Sequence, residues 1–463
     1  MTVVLPRLPR VTRFVRLLTF ALIASSGAFV VAASPTVLST AGSGRATAYA
    51  EQNKIVTLDG RTHVVWLDAA ADGFWVRGRT LDHASGQWGP VVTIDQAQDN
   101  HGGPALTADR AGHLHIVYYP HHAPIRYRQS NRPNDLSAWS PVREFGEELS
   151  YPVLVAGADD TLFVTARRGY HDDPEHRQPG GHWEQELWKK PPAGDWQRVA
   201  TLLRSRHPGY SQFAAGLARG PDHQTLHLNL RIYETSPVPD GKPLNTVGYL
   251  RSPDQGQTWT KADGTPVSLP ATADTVDVLV ADPGPTGPWL GSGPLAVDAA
   301  GQPHLIYSAN TEEHSALYLA TPAPGLGWTR RDLRAYLPEA VRDWRVELGM
   351  GGGLTFSADG RATVVAVILR PPPDARGAIA SWGHATTEVV RLWSDDGLRS
   401  WQSELISPRQ ADQPHWLANL ERATGHHAVP PQPGVIYTAG QSGSGLHDLN
   451  LNNEVRWHGA RAP

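Results

Sequence analysis

Beyond residue 51 the chain is written in short alternating runs of apolar and polar residues, each launched from a turn that holds Gly or Asp. A period of two marks a strand with one face buried. The stretch from Asp99 to Arg128 shows the unit. It opens on the turn Asp99-Asn100-His101-Gly102-Gly103-Pro104 and continues through a short apolar run. It turns again at Asp109-Arg110-Ala111-Gly112 and enters the strand His113-Leu114-His115-Ile116-Val117-Tyr118-Tyr119, which ends on Pro120-His121-His122. A hairpin over these two strands sets His101 and His121 at equivalent ends, side by side and each among turn residues.

The same launch recurs at Asp59-Gly60, Asp159-Asp160, His223-Gln224, Ala300-Gly301, Asp359-Gly360 and Pro433-Gly434. Each unit carries a tryptophan near a polar turn: Trp88, Trp139, Trp196, Trp259, Trp328, Trp401 and Trp457, about 50 to 75 residues apart. Around one of them, Ser252-Pro253-Asp254-Gln255-Gly256-Gln257-Thr258-Trp259 matches the S-x-D-x-G-x-T-W Asp-box of sialidase-type repeats, and Ser394–Trp401 is a degenerate copy. Such a turn uses Asp to cap backbone N–H groups, Gly for positive φ and Trp to pack beneath. Repeated strands without a convincing helical stretch predict an all-β fold, a seven-bladed β-propeller. A right-handed β-helix is the second choice, disfavoured because its coils are much shorter than these repeats.

The N-terminus has a different pattern. Arg7, Arg10, Arg13 and Arg16 precede an apolar run from Leu17 to about Ala33, and Ala48-Tyr49-Ala50 has the A-x-A form of a processing site. Residues 1–50 are therefore expected to be a secretory signal and leader, with residues 51–463 a single catalytic domain. A signal anchor is the rival, since the run approaches the length of a membrane span. With no other long apolar run, the processed protein is expected to be secreted, free of the membrane and monomeric.

Composition adds bounds. The absence of Cys excludes disulfides and thiolate metal sites, and 45 Gly with 39 Pro suit many turns. The formal charge is −4, and the first 50 residues hold five Arg and no Lys, Asp or Glu, which leaves −9 on the remainder. That balance gives no global attraction for nucleic acid. An anionic substrate needs a local cationic pocket.

From about residue 53 to 260 the chain resembles the BNR-4 type propellers that include ulvan lyases. The resemblance rests on Asn100-His101-Gly102-Gly103-Pro104-Ala105-Leu106, Tyr118-Tyr119-Pro120-His121, Leu149-Ser150-Tyr151-Pro152, Leu162–Gly169 and Pro208-Gly209-Tyr210. It implies catalytic roles for His101, Tyr151 and His121, and substrate binding by Arg167 and Tyr210. It also implies an anionic, ulvan-like rhamnose/uronate polysaccharide as partner. The chemistry of these residues agrees. A lyase removes the weakly acidic C5 proton of a uronate and expels the oxygen at C4, which requires a cation on the carboxylate, a base and an acid. Arg167 can bind a carboxylate through two parallel hydrogen bonds. His101 and Tyr151 can each serve as base or acid according to the sugar epimer. His121 can assist, and Tyr210 can position the sugar or replace Tyr151 as donor. Arg168 is the rival of Arg167, but only one of two adjacent strand residues faces a channel. No cofactor is required and no metal site is assigned, with a structural divalent cation left open.

Other clusters carry less. His113 and His115 share a strand face and suit zinc only with a third ligand, so packing histidines are the stronger reading. The loop Tyr170–His176 is read as a cleft wall, His182-Trp183 as either a sugar platform or a packed loop, and His426-His427 gives no decision. Two other functions compete. One is a propeller glycosidase, although the sialidase Arg-Ile-Pro motif is replaced by Arg231-Ile232-Tyr233-Glu234; a rhamnose–glucuronate cleaving exo-enzyme belongs to the same class. The other is a non-catalytic carbohydrate-binding propeller.

Overall fold

Antiparallel hairpins account for nearly all regular structure in the computed structural model. It describes residues 1, 35–169, 181–236, 241, 243–280, 288–311, 313–348, 351–370, 383–409, 413–441, 448–449 and 451–459. Among these, the helical content is two single 3₁₀ turns, Arg334–Tyr336 and Glu339–Val341. The strands form five hydrogen-bonded sheets. Turn chemistry sets their register. Strands Ile55–Leu58 and Arg61–Ala70 are joined by Asp59-Gly60, both at positive φ (43° and 76°), with Leu58 paired to Arg61. That is the two-residue hairpin whose twist matches the strands it joins.

Period-two alternation feeds two cores from one hairpin, Ala105–Ala108 with Leu114–Tyr118. Leu106, Ile116 and Tyr118 pack with Val65, Leu67 and Val76 on one side. Ala105 and Val117, their neighbours in sequence, pack with Ile125, Leu154 and Val164 on the other. A strand buried on both faces reads as a nearly continuous apolar run. Of the seven repeat tryptophans, Trp139, Trp259, Trp401 and Trp457 are buried, and Trp88, Trp196 and Trp328 are partly buried against core clusters.

Two turns are built alike. Asp254 accepts hydrogen bonds from the Thr258 N–H (2.8 Å), the Thr258 hydroxyl (2.6 Å) and the Ser252 hydroxyl (2.8 Å). Asp396 does the same with Ser400 and Ser394.

The N-terminal boundary differs from the sequence expectation. Residues 34–463 make one compact unit. Thr36–Gly42 is a strand that pairs along Asn453–His458, with Thr36 opposite Trp457 and Val37 opposite Arg456. The next segment is buried at Ala46, Ala48, Tyr49 and Ala50, and the Thr47 hydroxyl donates to the Leu417 carbonyl. The expected leader of residues 1–50 therefore extends too far. Its last fifteen residues belong to the fold, and a boundary at 51 would remove the strand that pairs with both Arg61–Ala70 and Asn453–His458. Their pairing partner lies some four hundred positions away, so nothing local announces it. Residues 2–34, the rest of the expected signal, lie outside the described residues.

Candidate active site

Strand register brings the expected site residues together. Ala105–Ala108 pairs with Leu114–Tyr118 so that Ala105 faces Val117. Continued outward by four positions, that register sets residue 101 opposite 121, and the two imidazoles stack at 4.0 Å between centroids and 12° between planes. His121 then pairs with Ser150, and Ser150 with Arg167, so three neighbouring strands carry one row across the sheet. Between Ser150 and Val153 the pairing slips. Three steps on this strand match two on its partner, from Arg167 to Thr165. Tyr151 sits in that bulge at φ 57°. An extra residue in a ladder re-aims a side chain, and strained backbone of this kind gathers at functional sites.

Two glycines let the segments approach. A Cβ on Gly102 would lie 2.7 Å from the Tyr119 carbonyl oxygen, and one on Gly103 would lie 2.7 Å from that of Ala48. The Asn100–Pro104 turn is thus pressed between the strand end that carries His121 and the N-terminal segment.

The Asp99 carboxylate organises the histidine pair, and sequence reasoning missed it. It lies 3.1 Å from Nδ1 of His101 through one oxygen and 2.8 Å from Nδ1 of His121 through the other; the first oxygen also accepts the His101 backbone N–H. Burial pushes this carboxyl up, but the hydrogen bonds from both histidines more than offset that and hold it well below the usual carboxylate range. An ionised carboxylate only accepts, so both rings carry their proton on Nδ1. In each neutral ring Nε2 is then left with its lone pair. Burial lowers His101 to about 4, only partly countered by Asp99 and reinforced by Arg45 and His121. At neutral pH its Nε2 is therefore a free base. The Asp-x-His spacing within one turn was the available signal. Among the described residues, Asp99, His101 and His121 are the group whose donor atoms lie close enough for a cation, all within 4.8 Å of one another. Each Asp99 oxygen lies within hydrogen-bond distance of one imidazole Nδ1.

Arg167 is 1% exposed. Its guanidinium lies 4.7 Å from the Tyr151 ring centre, 4.5 Å from Trp183 and 5.7 Å from Tyr210, and it donates to the Tyr210 hydroxyl at 3.3 Å. Among the described residues no carboxylate forms an ion pair with it, and its Nε makes no hydrogen bond. Arg168 turns the other way and pairs with Glu186 at 3.2 Å. Tyr151 stands 6.1 Å from His101 and 6.4 Å from His121 between ring centres. Burial raises its phenol, eased by Arg167. Tyr210 is 47% exposed and forms the outer rim. The five expected residues thus line one continuous cluster of rings and cation, which opens at Tyr210 and is dry at Arg167.

The secondary clusters resolve as packing. His115 meets the Tyr127 hydroxyl at 2.8 Å and Asp109 at 3.1 Å, and His113 meets the Ser130 carbonyl. His63, His227 and His304 make similar contacts in other units, with Thr80, Tyr249 and Thr321. Trp183 is buried beneath Arg167, and His182 meets the Ser205 carbonyl. His426 stacks on His223 and contacts the Gly157 carbonyl, and its backbone N–H donates to Ala108, at the opposite end of the strand that His101 precedes. Residues 170–176 lie outside the described residues.

Sheets of this kind, with a polar cluster at the strand ends, define a propeller-type protein with a candidate active site. The description "BNR repeat-containing family member" matches residues 61–336, more than half of the chain, and the chain belongs to that family. A curated relative, Ulvan Lyase-PL25 of Pseudoalteromonas sp. (strain PLSV), is 20% identical over 264 residues, 50% of this chain and 53% of the relative. The chain thus spans about half the length of the curated relative it matches. A solved PL25 ulvan lyase, also known bound to -[GlcA(1-4)Rha3S]-, superposes with a TM-score of 0.64 at 14% identity, covering 92% of this chain and 96% of that one. The polysaccharide lyase Uly1 gives 0.56 at 12% identity, covering 89% and 90%. At these identities the likeness is one of fold.

Proposed function

We propose that this protein is a secreted polysaccharide lyase that cleaves a uronate-containing, ulvan-like chain by β-elimination. The observation that carries this reading is Arg167: a permanently charged, buried guanidinium with no carboxylate partner among the described residues, set against the Tyr151 phenol, whose ring in turn lies about 6 Å from an imidazole pair that shares one carboxylate. Burying a cation without a counter-ion is costly. A uronate carboxylate entering past Tyr210 supplies the counter-ion and takes two parallel hydrogen bonds.

With that carboxylate neutralised, charge developing at C5 is stabilised where it forms. The His101 Nε2 takes the C5 proton, and the resulting imidazolium is held by Asp99. The C5–H electron pair becomes the C4–C5 double bond, the C4–O4 bond breaks, and O4 leaves with the proton of Tyr151. His121 holds the other Asp99 oxygen and lies stacked on the base. The opposite assignment, with Tyr151 as base, suits the other C5 epimer. The protonation states favour the first, because at neutral pH the imidazole is free and the phenol holds its proton. No metal enters these steps.

The strand ladders support seven four-stranded blades. The long Arg143–Ala156 strand serves two of them, pairing through its first half with His121–Gln129 and through its second with Leu162–Arg168. The last blade is closed by Thr36–Gly42. The N-terminal arginines and apolar run support secretion, with processing upstream of Thr36, and nothing in the mechanism needs more than a monomer.

The test is incubation with uronate-rich polysaccharides while following ultraviolet absorbance from the conjugated double bond. A lyase produces it; a hydrolase yields reducing ends without it, and a binding module yields neither. His101→Ala and Tyr151→Phe are each expected to lose most activity while keeping the fold. Near-normal turnover in both variants would sink this site.

A further inference from the structure

Arg45 and Tyr49 fall within the expected leader, yet they stand directly behind Tyr151. Tyr49 is 5% exposed, and its ring meets the Tyr151 ring edge-on at 4.6 Å. Its place is built from both ends of the chain. The Tyr49 N–H donates to Gln52, the Asn419 side chain donates to the Tyr49 carbonyl, and Gln52 donates to the carbonyl of Pro152, the residue after Tyr151. Trp416 and Leu417 close the apolar side. Arg45 donates through Nη1 to the Tyr49 hydroxyl, so that hydroxyl has a cation behind it and its own hydrogen to give.

We propose that Tyr49, held by Arg45, is a positioning residue for Tyr151, donating into the Tyr151 oxygen whenever Tyr151 is without its proton. The proposal rests on the lyase reading and assigns this pair the task of making one phenol a better proton carrier than its neighbours. The edge-on ring contact and the Arg45 hydrogen bond carry it, and the electrostatic direction agrees: Tyr49 eases ionisation of Tyr151, whereas Tyr151 opposes that of Tyr49. The other groups around Tyr151 are Arg167 above its ring, Tyr210, His101 and His121, with Glu51 and Arg231 lining the narrow cavity it shares with Tyr49. Arg167 is committed to the substrate, and Tyr210 opposes ionisation of Tyr151. The donor from the N-terminal segment is the one free to follow the proton.

The sign is the same whichever role Tyr151 plays. Without Tyr49 the Tyr151 phenolate loses a hydrogen bond, so the pH-rate limb that belongs to Tyr151 moves to higher pH. The test compares Tyr49→Phe, Arg45→Gln and Arg45→Lys in the full-length protein. A hydrogen bond to a charged oxygen predicts a fall in kcat of roughly 10- to 100-fold for Tyr49→Phe, with KM nearly unchanged. Arg45→Gln should fall less, and Arg45→Lys should recover part of that loss. An independent readout separates this idea from the lyase reading. Ultraviolet phenolate titration of the protein minus that of Tyr151→Phe isolates Tyr151, and the same difference taken in the Tyr49→Phe background should titrate at higher pH, whether or not any substrate is cleaved. An unmoved Tyr151 titration in folded protein overturns the proposal. If the titration moves but no unsaturated product ever forms, the pairing stands and the lyase reading falls.

Discussion

Replacing Asp99 with Asn changes almost no volume and removes one charge from behind two imidazoles. The structure sets the size of the effect. Asp99 makes short contacts with Nδ1 of both rings, 3.1 Å to His101 and 2.8 Å to His121. When His101 takes the C5 proton, the carboxylate faces a new imidazolium. Hydrogen bonds to charged groups contribute roughly 1.5–3 kcal/mol, and about 1.4 kcal/mol is tenfold in rate. That alone lowers kcat by about 10- to 100-fold. A second effect adds to it. The Asn amide has one oxygen and one NH₂, so one of the two rings meets a donor where it had an acceptor. That ring must move its proton to Nε2 or turn, and if it is His101 the base is lost, for a loss of about 10³-fold. Because Asp99 is buried behind the histidines, KM should stay near wild type. The pH profile gives an independent sign. Asp99 raises the His101 value, so its loss moves that imidazole below about 4 and carries the ascending limb to lower pH. The assay is initial-rate formation of unsaturated uronate across pH, with circular dichroism to confirm folding. Folded Asp99→Asn with near wild-type kcat and an unmoved limb would refute the reasoning.

Arg167→Lys keeps the charge and loses the planar fork; kcat/KM should fall about 100-fold, and a wild-type value would show that Arg167 does not bind the substrate carboxylate. The fold should lose stability as pH falls. Burial lowers His63, His101, His227, His427 and His458 to about 4, so between about 6.5 and 4 the unfolded chain takes up protons that the folded chain refuses. Glu421, raised to about 7 by burial, works in the other direction, as do the raised Glu51 and Asp68, but the histidines outnumber them. A melting temperature that rises from pH 6.5 down to 4 would contradict this. Asp254→Ala removes three hydrogen bonds from an exposed turn and should cost about 1–3 kcal/mol in denaturant unfolding with turnover intact; lost turnover in the folded variant would give that turn a role beyond structure.

The alternation of apolar and polar residues was enough to read the class of fold, because a strand's faces are set by a period of two that needs no knowledge of the partner. The local hairpin over residues 101–121 was equally readable, since its register follows from the turn it encloses. Alternation says that Arg167 and Arg168 point to opposite faces; the choice of Arg167 came from the family resemblance. Other features depended on contacts between distant segments. Thr36–Gly42 looked like leader because it is short, mixed in composition and paired with a strand at the far end of the chain. Arg45 and Tyr49 were lost with it. Tyr151 could be named but not aimed, since its direction comes from a bulge that exists only once its strand is paired with Leu162–Arg168. Asp99 was in plain view two residues before His101, yet an Asp in a turn usually caps backbone. Only the approach of both Nδ1 atoms, one to each of its oxygens, shows that its charge serves both rings. Local periodicity determined which residues are strand and which are turn; the energy of bringing remote segments together decided which polar groups share one buried space.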